Sequence, residues 1–257
     1  MKIWRIILIV VSITLLLAYL LAAIIFVTPR TENRICSDLK VNVLDVEKLR
    51  FVTTQEIVTL LENNRIKYKG LSFAEIDLHA VEKAVKKHPM IKFVSCYQTP
   101  SGILNVDVKQ RQPLFRMLTD RNNFYVDEDR LRMPVSTKYA VYVPIVTGYV
   151  NEDFIRNELF DFIVSLQDDD FWSSQITQIH VYPNFDVELT PRVGSHIIYL
   201  GSVNNAQRKL DKLLTFYKKG LPRLGWNRYT HIDLRYRDQV VCVKPKFTPE
   251  VEIQKEN

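Results

Sequence analysis

The chain has 257 residues, of which 47% are apolar and 25% are charged. These fractions exclude a disordered or collagen-like chain and leave room for one large domain or two smaller ones. Seven glycines are too few for glycine-rich phosphate loops or glycine-studded repeats. The net charge of +6 is mildly basic. A nucleic-acid binder would carry a dense Lys/Arg stripe, and none is present. The nearest candidate, Lys83, Lys86 and Lys87, reads as the solvated face of a helix.

Residues Ile6 to Val27 form an uncharged run between Arg5 and Arg30, with Ser12, Thr14 and Tyr19 its only polar side chains. As a helix it would extend about 33 Å, enough for a bilayer core. A helix satisfies its own backbone hydrogen bonds in lipid, so the run is expected to span a membrane through Ile6, Leu15, Ala18, Ala22 and Val27. A cleaved signal peptide is the rival. Its apolar core is shorter and ends in an A-x-A-like site, and Leu21-Ala22-Ala23 fits that poorly. Run length therefore favours a retained anchor. Lys2 and Arg5 on one side balance Arg30 and Arg34 on the other, so charge alone sets no orientation. Ala18 and Ala22 are spaced to let another helix approach, though incidental alanines in an apolar helix are the better reading.

Beyond the anchor, residues 28–37 read as a linker and 38–112 as a first unit. Lys40 to Leu44 alternates as a short strand. Thr53 and Glu56 form a capping box for a helix carrying Ile57, Leu60 and Leu61. Asp77 caps a second helix with Leu78, Val81 and Val85 inward, ended by Pro89. Ile91–Tyr97 and Ile103–Lys109 are strands around the turn residues Pro100-Ser101-Gly102. Leu104, Val106 and Val108 alternate with Asn105, Asp107 and Lys109, which predicts one buried and one wet face. The order is β-α-α-β-β, with the helices on one face of three strands.

Residues 113–246 form a second α+β unit with an extended, mostly antiparallel sheet. Strands are expected near Leu114–Leu118, Phe124–Val126 and Leu131–Pro134. Glu152–Gln167 reads as one helix burying Ile155, Leu159, Phe162, Ile163 and Leu166. Strands follow at Ile176–Val181, Phe185–Thr190 and His196–Leu200. Ser202 is expected to cap a helix burying Ala206, Leu210, Leu213, Leu214 and Tyr217, with Gly220 as C-cap and Pro222 after it. The last strands are Tyr229–Tyr236 and Gln239–Lys244, and residues 247–257 read as a loose tail.

A search for chemistry finds no nucleophile elbow, zincin, phosphate-loop or EF-hand pattern. The histidines His79, His88, His180, His196 and His231 are isolated, and His180 is expected to face outward on its strand. Asp168-Asp169-Asp170 lacks the rest of a calcium loop and reads as a solvated helix exit. Cys36, Cys96 and Cys242 show no metal or dithiol spacing. An oxidising compartment would permit a Cys36–Cys96 bridge, but nothing in the spacing argues for it. No cofactor, metal or catalytic residue is expected.

Several segments together resemble the bacterial cell-division family FtsQ (DivIB). They are Pro89-Met90-Ile91, Gln110-Arg111-Gln112-Pro113-Leu114, Tyr125-Val126-Asp127-Glu128-Asp129, Pro144 to Gly148, and Ile232-Asp233-Leu234-Arg235-Tyr236, behind a short tail and one anchor. One departure is Leu44-Asp45, where many members carry glycine. The resemblance implies a POTRA domain over the first unit and a scaffold, not an enzyme. It places residues 1–5 in the cytoplasm and both domains outside it, at the septum. It implies FtsB- and FtsL-like single-pass partners and, through them, the septal peptidoglycan synthase, with the POTRA domain concerned in recruitment. Carried onto this chain, its partner-binding surface is Tyr236 with Val240, Val241, Cys242 and Val243.

The residues give that surface separate support. A final strand is often a sheet edge that another chain can extend, although Val240 to Val243 would also suit an internal strand buried on both faces. Two other readings compete. An assembly or secretion component would need a following β-barrel, and the strands are too few. An anchored cell-wall enzyme would need a nucleophile–base pair or a metal cluster.

Overall fold

The computed structural model describes residues 2–32, 34–149 and 151–245. The expected tail at 247–257 lies outside them. Helix α1, Lys2–Glu32, contains the stretch Ile3–Ile24 of mean hydropathy 2.9, none of it buried in the protein. Among the described residues it is the one helix long and apolar enough to cross a membrane. Leu15, Ala18 and Ala22 are exposed on it, while the side chains of Ile6 and Val27 are outside the description. The Thr14 hydroxyl donates to the Val10 carbonyl at 2.8 Å, which spares it an unmet hydrogen bond in lipid.

The chain divides into two compact units, Met1–Arg111 and Gln112–Asn257. In the first, β1 (Asp38–Val43), α2 (Thr54–Asn63), α3 (Leu78–Lys86), β2 (Ile91–Gln98) and β3 (Ile103–Gln110) follow the β-α-α-β-β order. The capping box forms: Thr53 Oγ1 accepts from Glu56 N and Glu56 Oε2 accepts from Thr53 N. Asp77 caps α3 by accepting from Ala80 N at 2.9 Å. β3 is central, parallel to β1 and antiparallel to β2, which leaves β2 at an edge. Ile57, Leu61, Val81, Val85, Leu104, Val106 and Val108 are wholly buried between helices and sheet.

The alternation expected on β3 fails at Asn105, which is buried. Gln110, in phase with Leu104, Val106 and Val108, is a buried polar residue at the end of the inward face. Gln110 is held because every polar atom of its amide is used. Oε1 accepts from Phe51 N at 2.8 Å and Val52 N at 2.9 Å, and Nε2 donates to Asp45 Oδ1 and Leu49 O. Asp45 Oδ2 also takes the Gln110 backbone N–H at 3.0 Å. Asp45 thus ties the turn after β1 to the end of β3. Gln110→Leu removes the acceptor used by two buried amides. It should cost about 2 kcal/mol, read as a lower urea midpoint at unchanged slope. A change below about 0.5 kcal/mol would mean that water replaces the amide.

The second unit is a nine-stranded sheet in the order β12-β11-β10-β9-β8-β7-β4-β5-β6. Its strands are β4 (Pro113–Leu118), β5 (Asn123–Asp127), β6 (Arg132–Pro134), β7 (Ile145–Gly148), β8 (Ile176–Val181), β9 (Val187–Pro191), β10 (Ile197–Gly201), β11 (His231–Asp233) and β12 (Val241–Val243). Three neighbour pairs, β4/β7, β7/β8 and β10/β11, are parallel and the rest antiparallel. Helices α4 (Glu152–Arg156), α5 (Glu158–Gln167), α6 (Asp170–Gln175), α7 (Ala206–Lys219) and α8 (Leu221–Leu224) complete it. Leu159, Phe162, Ile163 and Leu166 of α5 and Leu210, Leu213 and Tyr217 of α7 share one core with Val146, Ile179, Leu189, Ile198 and Ile232 of the sheet.

Several local expectations are corrected. The helix expected over Glu152–Gln167 is two, broken at Asn157 (φ −115°, ψ −93°). The Asn157 amide donates to the Asp153 carbonyl at 2.9 Å, a side-chain bond that competes with the helical ladder. Asp169 is no idle helix exit: its carboxylate caps α6 by accepting from Phe171 N and Trp172 N. Phe185 is not in a strand. It sits at φ +63° in the turn before β9, half-exposed. The residue at the N-cap of α7 is Asn205, and Ser202 instead accepts from Asn204 N in the preceding turn. Leu214 is only partly buried. Pro222 opens the short α8. The strand β7 falls in a segment where sequence alone suggests none, and the last two strands are three residues each.

Candidate partner-binding edge

β11 is held on both sides. It runs parallel to β10 (Ile198↔Ile232) and antiparallel to β12 (Asp233↔Val241, Ile232↔Cys242, His231↔Val243). β12 has one neighbour and ends the sheet. Its side chains alternate as a pleated strand requires. Cys242, with Val240 just before the strand, packs against the core, whereas Val241 is 37% exposed and Val243 51% exposed. Burial on both faces is thereby excluded for this strand. Tyr236, in the segment joining the two strands, is 49% exposed.

That joining segment is fastened from three directions. Leu234 is buried and its N–H donates to Tyr199 O at 2.9 Å. Arg235 folds back on Asp233: its Nε lies 3.1 Å from both carboxylate oxygens and its backbone N–H donates to Oδ1. Its guanidinium lies 4.4 Å from the centre of the Tyr199 ring, a cation–π contact. Burial alone would raise the Asp233 carboxyl pKa. The Arg235 hydrogen bonds, with the Arg235 and Lys212 charges, outweigh it and hold that group below its usual range. From α7, Lys212 Nζ donates to the carbonyls of Leu234, Tyr236 and Gln239, and Arg208 pairs with Asp238 at 3.0 Å. Burial, with Arg208 nearby, lowers the Lys212 pKa.

Two grooves flank this fastening. One, of about 340 Å³, is lined by Arg208, Lys209, Lys212, Arg235, Tyr236 and Arg237 and is strongly basic. The other, of about 450 Å³, is lined by Phe216, Gly220 and Val240 together with the charged Lys212, Lys219 and Asp238, and its exposed lining is mainly apolar. The arrangement offers a strand edge, exposed apolar side chains and cations to an incoming chain.

Of the residues singled out from sequence, Tyr236, Val241 and Val243 lie exposed together on this edge, and Val240 and Cys242 turn inward. Sequence reasoning missed Arg208 and Lys212. Their four-residue spacing opposite the apolar stripe of α7 was the available signal, and it is shared by any solvated helix face.

Among the described residues no group of three His, Cys, Asp or Glu side chains could hold a metal. Cys36, Cys96 and Cys242 are free thiols, and burial pushes the Cys96 pKa up to about 12. His180 is exposed beside Thr147. His196 is buried against the Tyr217 hydroxyl at 2.6 Å, and burial lowers its pKa, which favours the neutral ring.

The two units and the long apolar helix define a POTRA-bearing α+β protein of single-span type. Residues 112–243 match the family model described as FtsQ/DivIB, C-terminal related, and residues 34–109 match that of the POTRA-like domain. The chain belongs to the FtsQ/DivIB family. It is similar to the cell division protein FtsQ of Rhodothermus marinus, at 24% identity over 186 residues that cover 67% of each chain.

Proposed function

We propose that this cell-division membrane protein is a non-catalytic scaffold that links division proteins at the septum. The carrying observation is the β12 edge: an end strand whose outer side chains, Val241 and Val243, are exposed beside Tyr236 and a basic groove. A partner segment adds a strand there, buries apolar side chains on the valines and the tyrosine, and sets acidic groups against Arg208 and Arg237. The partners are FtsB- and FtsL-like single-pass proteins, which connect the scaffold to the septal peptidoglycan synthase. α1 spans the inner membrane, with the N-terminus cytoplasmic and both domains outside. The segments 38–112 and 113–246 fold as separate domains of that scaffold.

Hydrogen exchange of the full chain in detergent, with and without the extracytoplasmic segment of an FtsB-like partner, tests the site. Amides 241–243 should slow on binding; slowing elsewhere with β12 unchanged would overturn it. A reporter active only in the cytoplasm, fused after Asn257, should be silent, and activity would overturn the orientation.

A further inference from the structure

The end of the second sheet where β7, β8 and β10 finish carries a groove that takes no part in the β12 edge. β7 runs parallel to β8, and β9 runs antiparallel to both β8 and β10, so the three strands point the same way. Their carboxyl ends lead into α4, into the turn before β9 and into α7. Ligand crevices in sheets with parallel strands open at such ends. Here the groove measures about 320 Å³, with Asp153, Phe154 and Glu158 on the helical side and Asn184, Phe185 and Asn204 on the turns.

Phe185 gives this groove an aromatic face. It is 38% exposed and sits at φ +63°, where asparagine or glycine is the usual occupant. Its ring is backed by Phe154 at 5.0 Å and Tyr149 at 5.8 Å between centroids. The turn around it is fixed. Asp186 N–H donates to Asn184 Oδ1 at 3.2 Å, and Asp186 Oδ2 accepts from Asn184 Nδ2 at 3.0 Å and from the Tyr199 hydroxyl at 2.9 Å. The charge facing the ring is negative. Glu152 pairs with Arg132 and Arg156, and Asp161 with Arg130, whereas Asp153 and Glu158 have no ion-pair partner among the described residues. Lys209, on α7, donates to the Ser202 carbonyl. Among the described residues no third acid, histidine or cysteine joins the two carboxylates to make a metal site.

We propose that this groove takes an arginine-bearing segment of a partner protein, with the guanidinium flat on the Phe185 ring and its N–H groups donating to Asp153 and Glu158. A planar guanidinium suits an aromatic face and carboxylates at once, and a compact ammonium matches that pair less well. The groove is opposite in charge to the one lined by Arg208 and Arg237, so the two take different segments.

The probe is a synthetic peptide of alternating arginine and glycine, titrated into the full chain in neutral detergent. Its citrulline–glycine counterpart, which keeps the shape of arginine without the charge, should bind about tenfold more weakly or not at all. Asp153→Asn/Glu158→Gln should weaken binding of the arginine peptide about tenfold. Asp168→Asn/Asp170→Asn removes two acids elsewhere on the same unit and should leave the affinity unchanged. Phe185→Asn should weaken binding about fivefold by deleting the ring. Its melt should stay close to that of wild type, because asparagine accepts the left-handed backbone and so offsets the lost ring contacts. Lost affinity with kept stability is not what a folding defect gives. Tyr236→Ala should bind the peptide like wild type, which separates this groove from the β12 edge. No binding of the arginine peptide, equal affinity for the citrulline peptide, or equal losses in the two double variants would overturn the proposal. So would an affinity unchanged by Phe185→Asn or lost with Tyr236→Ala.

Discussion

Tyr236→Ala is expected to weaken partner binding by about 2 kcal/mol, roughly thirtyfold, while leaving the thermal melt unchanged. The two halves of that expectation come from one number, the 49% exposure of the ring. A half-exposed ring contributes little to the free fold, and surface truncations commonly fall within about 0.5 kcal/mol. The same ring can be buried by a partner, with its hydroxyl kept for a hydrogen bond. The Tyr236 carbonyl, which Lys212 holds, is untouched by the substitution. Val241→Pro attacks the edge itself. Proline fixes φ and deletes an N–H in a strand of three residues, so affinity should fall at least as far as in Tyr236→Ala. Isothermal titration with the partner's extracytoplasmic segment, alongside melts of the same samples, reads both. If the two variants stay folded and bind like wild type, the partner site is not on β12.

The fastening of that edge carries its own logic. A three-residue strand held by one neighbour is a weak structure by itself. Lys212 reaches three carbonyls of the joining segment, so one cation on a buried-face helix stands in for pairing that the strand is too short to make. A pre-ordered edge lowers the entropy lost when a partner adds to it.

What was legible from sequence depended on how local the cause was. The capping box at Thr53 and Glu56 and the cap at Asp77 involve neighbours within one turn, and both form as read. Apolar spacing placed the buried faces of α5 and α7, because burial repeats with the helix itself. It could not show the break at Asn157, since Ile155 and Leu159 stay in phase across it and both remain buried. Phe185 continued the alternation of Val187 and Leu189, yet a positive φ turns it out of the strand. β7 is four residues between β4 and β8, fixed by parallel pairing to strands on both sides rather than by any pattern of its own. At the candidate edge, Val241 and Val243 were visible as the end of the last strand. Arg208 and Lys212 were not, because their purpose depends on a segment some twenty to thirty residues further along the chain.

Gly148→Ala should destabilise the second unit by about 3 kcal/mol or more, and the reason lies at the end of that unannounced strand. Gly148 pairs with Val181 in the parallel β7–β8 ladder and has φ +92°. A Cβ there would stand 2.2 Å from the Val181 carbonyl oxygen and 2.8 Å from the His180 ring. That oxygen already accepts the Tyr149 N–H at 2.8 Å, so it cannot retreat without loosening the ladder. Because β7 joins β4 to β8, a displaced β7 separates the two halves of the sheet. Gly225→Ala supplies the comparison. Its φ of +96° imposes the same backbone strain, but nothing lies within 4 Å of its Cβ position. Strain alone costs about 1–3 kcal/mol, so Gly225→Ala should lower the melting temperature by only a few degrees. Gly148→Ala adds the clash to that strain and should lower it by about 10 °C or leave the unit unfolded. Equal melts for the two variants would mean that β7 yields freely and that the motif ending at Gly148 is kept for another reason.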